Sequence, residues 1–123
     1  MRIFKSKGFD HFARKEGITN SALLEAVARA EAGQIDADLG GGVIKQRIAR
    51  PGRGKSKGYR SIIFFRRGSR AFFIYGFAKS KRANIDDHER EEFKKAAKHV
   101  LGLTEKLLTE LLTRGDFIEV KCL

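Results

Sequence analysis

The spacing of apolar positions switches between helical and strand periods along this chain, and the switches mark its elements. Arg2–Lys5 reads as a short first strand. A basic helical stretch, Phe9–Glu16, is ended by Gly17. Thr19 or Asn20 is placed to cap a helix over Ser21–Ala32 that stops at Gly33, with Leu23, Leu24, Val27 and several alanines as its close-packing face. Gly40, Gly41 and Gly42 then break the chain. Val43–Arg50 alternates, with Ile44, Gln46 and Ile48 on one side and Val43, Lys45, Arg47 and Ala49 on the other.

Pro51–Gly58 reads as a basic turn, most simply a hairpin tip, because it lacks the strand–loop–helix setting of a phosphate loop. Tyr59–Arg67 and Arg70–Phe77 are aromatic and β-branched, and Gly68-Ser69 between them suits a two-residue hairpin turn. That turn pairs Phe64 with Phe73, Ile62 with Tyr75 and Arg60 with Phe77. It puts these six on one face and Ser61, Ile63, Phe65, Phe72, Ile74 and Gly76 on the other. Both faces are largely apolar, so the hairpin is expected to be central and covered in part on each side. Asp86 and Glu89 have capping-box spacing, and Phe93, Ala96, Ala97, Val100 and Leu101 form the stripe of the helix they open. Thr104 can cap a last helix, with Leu103 and Leu108 placed as a hydrophobic staple and Gly115 as its stop. Phe117–Val120 adds a short edge strand. The predicted fold is α+β: an antiparallel β-meander packed with N-terminal helices and one or two C-terminal helices, with residues 1–123 in a single domain.

Charge changes this picture most. The chain carries a net +11, yet the window Val43–Arg82 holds 13 Lys/Arg and no Asp or Glu, while the remainder has 13 bases against 15 acids. A positive cluster of this kind repels itself, so it points to a use outside folding, and nucleic-acid phosphate is the first candidate. Membrane-surface binding wants an amphipathic basic helix, whereas this window reads as strand and turn. The 123 residues, 41% hydrophobic with ten Phe and no Trp, suffice for one modest core. The lone Cys122 excludes an internal disulfide framework, and no stretch has the length of a membrane span or a signal peptide. A reducing cytoplasm fits these features.

Lys45 and Arg47 share a strand face, Arg60 begins the neighbouring strand, and Lys79, Lys81 and Arg82 leave the end of the last hairpin strand. The meander brings them towards one patch, with Arg50, Arg53, Lys55 and Lys57 around the turn. Arg67 and Arg70, at the far end of the hairpin, read as solvated charge. Tyr75 is a candidate for base stacking or proton transfer, although an aromatic on a central strand is more often core. His88, near Lys79 and Lys81, is a weaker candidate proton carrier. His11, His88 and His99 show no metal-ligand spacing, and no Cys/His cluster or Ser-His-Asp arrangement is present.

Three runs carry a family resemblance: Asp36 to Arg47 (DADLGGGVIKQR), Arg50 to Arg60 (RPGRGKSKGYR) and Phe73 to Ile85 (FIYGFAKSKRANI). In these the chain resembles the RelE/ParE superfamily of bacterial type II toxins, in its HigB/RelE-like branch. The resemblance implies a metal- and cofactor-independent mRNA endoribonuclease acting at the ribosome, held inactive by a cognate antitoxin that masks the basic face or clamps a helix elsewhere. It implies attack of a ribose 2′-OH on the adjacent phosphate and carries catalytic roles to Lys45, Arg47, Arg60, Tyr75 and Lys79. Arg50, Arg53, Lys55, Lys57, Lys81 and Arg82 would then bind nucleic acid. Permanently protonated arginine suits charge stabilisation, while like charges nearby can tune Lys45, Lys55 or Lys57. Relatives on this fold also poison DNA gyrase, and a non-catalytic basic nucleic-acid-binding module is a further alternative. Two helices follow the last hairpin strand, where shorter relatives have one or none; an extra helix over the basic face would move the site.

Overall fold

The computed structural model describes residues 1–50 and 54–121, which form six strands and four helices. In chain order these are β1 (Arg2–Ser6), α1 (Lys7–Glu16), α2 (Asn20–Glu31), β2 (Ala37–Gly40), β3 (Val43–Arg50), β4 (Gly54–Arg66), β5 (Arg70–Ala78), α3 (Asp87–Leu101), α4 (Glu105–Arg114) and β6 (Phe117–Val120). The helix boundaries follow the expected chemistry. Ser6, Thr19, Asp86 and Thr104 accept the N-terminal amides, and Asp86 with Glu89 closes the capping box in both directions.

The sheet order is β2-β3-β4-β5-β1-β6. The expected antiparallel meander holds from β2 to β5, but β1 enters beside β5 in parallel, and β6 closes the edge antiparallel to β1. β2 is a strand that the glycine-rich sequence around Gly40 conceals. β4 begins at Gly54, so much of the expected turn is strand; Pro51, Gly52 and Arg53 lie outside the described residues.

The hairpin register departs from the two-residue turn in an instructive way. Arg66 faces Arg70 across a three-residue loop, with Gly68 at φ +73°. One extra loop residue shifts the pairing by one, and in a strand that exchanges the faces. Phe64 therefore opposes Phe72, and Ile63 opposes Phe73. A bulge at Ile74 then restores the expected partners, Ile62 with Tyr75 and Arg60 with Phe77. Phe72 consequently joins Phe4, Ile62, Phe64, Leu101 and Leu108 beneath α3 and α4, while Phe73 joins Phe9, Leu23 and Ile63 beneath α1 and α2. The hairpin is covered on both sides, as its composition suggests. Gly76 lets α1 approach closely, since a Cβ there would stand 2.4 Å from the Phe12 ring.

Three charged or polar side chains fasten the helices to this sheet. Arg70, expected to be only solvated, donates to the Leu103 carbonyl and pairs with Glu105 at the start of α4, and Arg67 donates to the Glu31 carbonyl at the end of α2. Gln46 is fully buried on the α2 side of β3. Its amide donates to the carbonyls of Ala26 (3.0 Å) and Gln34 (3.1 Å), and its oxygen accepts the Asp36 N–H (2.8 Å). Replacing Gln46 with leucine would take its hydrogen bonds from all three of these main-chain groups. Gln46→Leu is expected to destabilise the fold by about 2–4 kcal/mol, measured as a fall in the urea midpoint; a neutral substitution would show that water reaches this position.

Candidate active site

Strand alternation first decides which cations can meet. Lys45 opposes Ile62 and Arg47 opposes Arg60, so all four side chains share the face whose other end, Val43 and Phe64, is apolar and lies beneath α3. Beyond the reach of that helix the same face becomes cationic. Lys79 and Ala83, from the loop after β5, and Asp36 and Ala37, at the start of β2, complete a cleft of about 240 Å³ around Lys45, Arg47 and Arg60. α4 lies against β6 and shares its core with Phe4 and Phe72 of the inner strands, so the extra helix leaves this cleft open.

Burial lowers the Lys45 amine below its ordinary pKa, reinforced by Arg60, Arg47 and Arg90, while Asp36 opposes the shift. Arg60 is 7% exposed, and its pKa is likewise drawn down by burial and then by Arg47. Asp36 is the carboxylate of the cleft. Its Oδ2 accepts the Arg47 N–H at 2.7 Å and faces Arg29 Nη1 at 3.4 Å, and Arg29 also donates to the Arg47 carbonyl. The main chain of β3 is thereby tied down where its arginine is presented. The Lys45 ammonium donates to Asn84 Oδ1 at 3.1 Å.

Four of the five residues given catalytic roles by the family resemblance thus converge: Lys45, Arg47, Arg60 and Lys79. Tyr75 stands apart. Its hydroxyl accepts from Arg82 Nη1 at 3.0 Å, and its ring packs on Phe77 and Phe93. It lines a separate cleft of about 250 Å³ with Phe12, Lys15, Lys81 and Arg82. Arg82 is committed to Glu89 and Tyr75, which hold it above the ordinary arginine range. Arg53 and the side chains of Arg50, Lys55 and Lys57 lie outside the described residues. His11, His88 and His99 are exposed and line neither cleft. Asp36 and Asn84 were given no role by residue pattern. Both lie within the family-like runs, but only the folded chain brings them to Lys45 and Arg47.

A cleft with two arginines, two lysines and one carboxylate can hold a phosphodiester and move a proton at its edge. Among the described residues no helix is long and apolar enough to cross a membrane. A family model described as "RelE toxin of RelE / RelB toxin-antitoxin system" matches residues 1–120. No curated protein sequence matches the chain.

The lowered Lys45 pKa has a consequence for stability. Below its folded pKa the amine is charged in both the folded and unfolded chains, and the folded state bears the whole penalty of burial and repulsion. The penalty fades as pH climbs from that depressed value towards the ordinary 10.5. Lys45→Met is therefore expected to stabilise the fold at pH 7, and to do so by less at pH 10. Urea unfolding at the two pH values checks this; no gain at pH 7, or a larger one at pH 10, would contradict it.

Proposed function

We propose that this chain, which belongs to the RelE toxin family and so is the toxin of a toxin–antitoxin system, inhibits translation as an endoribonuclease that cuts mRNA at the ribosome. The observation that supports this reading is the cleft itself, where Lys45, with its lowered pKa, stands among Arg47, Arg60 and Lys79. A phosphodiester seated there meets permanent positive charge from the two arginines, which oppose the charge that builds on phosphorus as it becomes five-coordinate. The Lys45 amine accepts the proton of the ribose 2′-OH. The 2′-oxygen bonds to phosphorus, the bond to the 5′-oxygen breaks, and Lys79 returns a proton to that oxygen. The products are a 2′,3′-cyclic phosphate and a 5′-hydroxyl end. A lysine of ordinary pKa would be almost wholly protonated at neutral pH, so burial and neighbouring arginines are what make it usable as a base.

The three family-like runs support reading the chain as a HigB-like member of the family, acting in the cytoplasm with an antitoxin as its partner. An acidic or amphipathic segment of that partner would neutralise the 43–82 face. Tyr75, engaged by Arg82, serves the neighbouring cleft, where its ring and that of Phe12 line a space suited to a flanking base. Arg50, Arg53, Lys55 and Lys57 are assigned to the RNA backbone on the strength of the family resemblance.

Induced expression with mRNA 5′ ends mapped tests this function. New ends should appear within coding sequence as protein synthesis stops. Growth arrest without new ends rejects the nuclease, and defects in DNA supercoiling would mark a gyrase poison instead. Lys45→Ala and Arg60→Ala are each expected to lower cleavage by about 100-fold or more. Each should weaken single-strand binding only modestly, reducing the salt slope of log K by about 0.7. Loss of affinity with no cleavage to lose, in the unaltered protein as in the variants, would identify a binding module.

A further inference from the structure

Asn84 lies in the loop between β5 and α3, two residues before the Asp86 cap. Its Oδ1 accepts the Ile85 N–H at 2.9 Å and the Lys45 ammonium at 3.1 Å. The Ile85 N–H can only donate, so the oxygen end of the amide must face it, whichever way the group could otherwise turn. The loop beneath is held at several points. Arg82 Nε donates to the Asn84 carbonyl at 2.9 Å, and the rest of its guanidinium is held by Tyr75 and by Glu89 of α3. The Ala78 carbonyl accepts the N–H groups of Lys81 (3.0 Å) and Arg82 (3.1 Å). Ile85 packs into the core between the sheet and α3. The acceptor facing Lys45 is thus placed by main chain and core.

We propose that Asn84 is a positioning residue: it holds one N–H of Lys45 so that the remainder of the amine is aimed into the cleft at the 2′-OH of the bound strand. This rests on the nuclease reading above and names a residue on which that reading depends. The identity of the side chain matters as much as its place. Lys45 is faced by Arg47 on its own strand, Arg60 on β4 and Arg90 on α3, with Lys79 across the cleft and Asp36 as the opposing carboxylate. A second carboxylate at position 84 would hold the amine as a fixed ammonium and deprive it of its capacity to accept a proton. A neutral amide oxygen orients the amine without adding charge. Removing the oxygen altogether would leave a flexible four-carbon side chain to find its direction by itself.

The test compares the unaltered protein with Asn84→Ala and the near-isosteric Asn84→Asp. It uses two readouts: steady-state cleavage of a short RNA on programmed ribosomes as a function of pH, and the NMR titration of the Lys45 Nζ, assigned by its absence in Lys45→Arg. Asn84→Ala should lower kcat about tenfold with KM within about twofold. In Asn84→Asp the Nζ titration and the rising limb of the rate profile should move together to higher pH, with the rate at pH 7 reduced. An Nζ titration that does not move in Asn84→Asp overturns the contact, and an unchanged kcat in Asn84→Ala overturns the positioning role. A KM rise with kcat preserved also overturns the proposal, because it would place Asn84 on the substrate instead of on Lys45. Absence of cleavage in all three proteins, the unaltered one included, overturns the nuclease reading and with it the catalytic purpose of the contact, while the Nζ titration still decides whether the contact exists.

Discussion

Arg47 and Arg60 oppose each other across neighbouring strands, with Lys45 two residues away on the same face. Like charges placed directly opposite destabilise a sheet, by roughly 0.2–1 kcal/mol for each such pair. The rest of the structure is arranged so that this register survives. On the far face of the same strands Ile44, Gln46, Ile48, Tyr59 and Ile63 are buried beneath α1 and α2. On the near face Val43, Ile62 and Phe64 are buried beneath α3. A slip of one residue would send every one of these side chains to the wrong side. The repulsion is small beside that penalty, so the cations are held together by the hydrophobic cores on the two faces of the sheet. The result is a surface that costs stability and is available to an anion.

The walls of the cleft are held by polar contacts of a different kind. Gln46 reaches through the α2 side of β3 to the Asp36 N–H, and Asp36 in turn accepts the Arg47 N–H. The interior amide and the cleft carboxylate are therefore links of one chain running from α2 to the arginine. Across the cleft, Arg82 ties the loop after β5 to Tyr75 and Glu89. That loop contributes Lys79 to one cleft and Lys81 to the other, so a single short segment bounds both. Rigidity here comes from satisfied hydrogen bonds as much as from apolar packing.

Local chemistry was legible wherever an element's signals lie within a few residues. The Asp86–Glu89 box, the Thr19 and Thr104 caps, the Gly115 stop and the alternation of Val43–Ala49 all carry their meaning in short windows, and the folded chain obeys them. The hairpin turn was less legible, because Arg67-Gly68-Ser69 and Gly68-Ser69 differ by one residue and only packing chooses between them. The choice exchanged Phe72 and Phe73 between the two cores. The bulge at Ile74 then left the pairing of Arg60 and Tyr75 as the simpler turn had placed it. The parallel entry of β1 beside β5 depends on a partner some seventy residues away, which no local pattern encodes.

By itself, the sequence determined that the basic charge is concentrated in one acid-free segment, that this segment reads as strand and turn, and that Lys45 and Arg47 point the same way. These follow from composition and a two-residue period. Tertiary structure decided which of the 13 window cations become neighbours. It brought Lys45, Arg47, Arg60 and Lys79 to one cleft, engaged Arg82 with Glu89, and tied Arg67 and Arg70 to the helices. It also set Asp36 and Asn84, from outside the cationic positions, against the strand that matters. The physical reason is that charge and alternation are properties of a segment, whereas a lowered pKa and an aimed amine are properties of distances between segments, and those are set by how the two cores pack against the sheet.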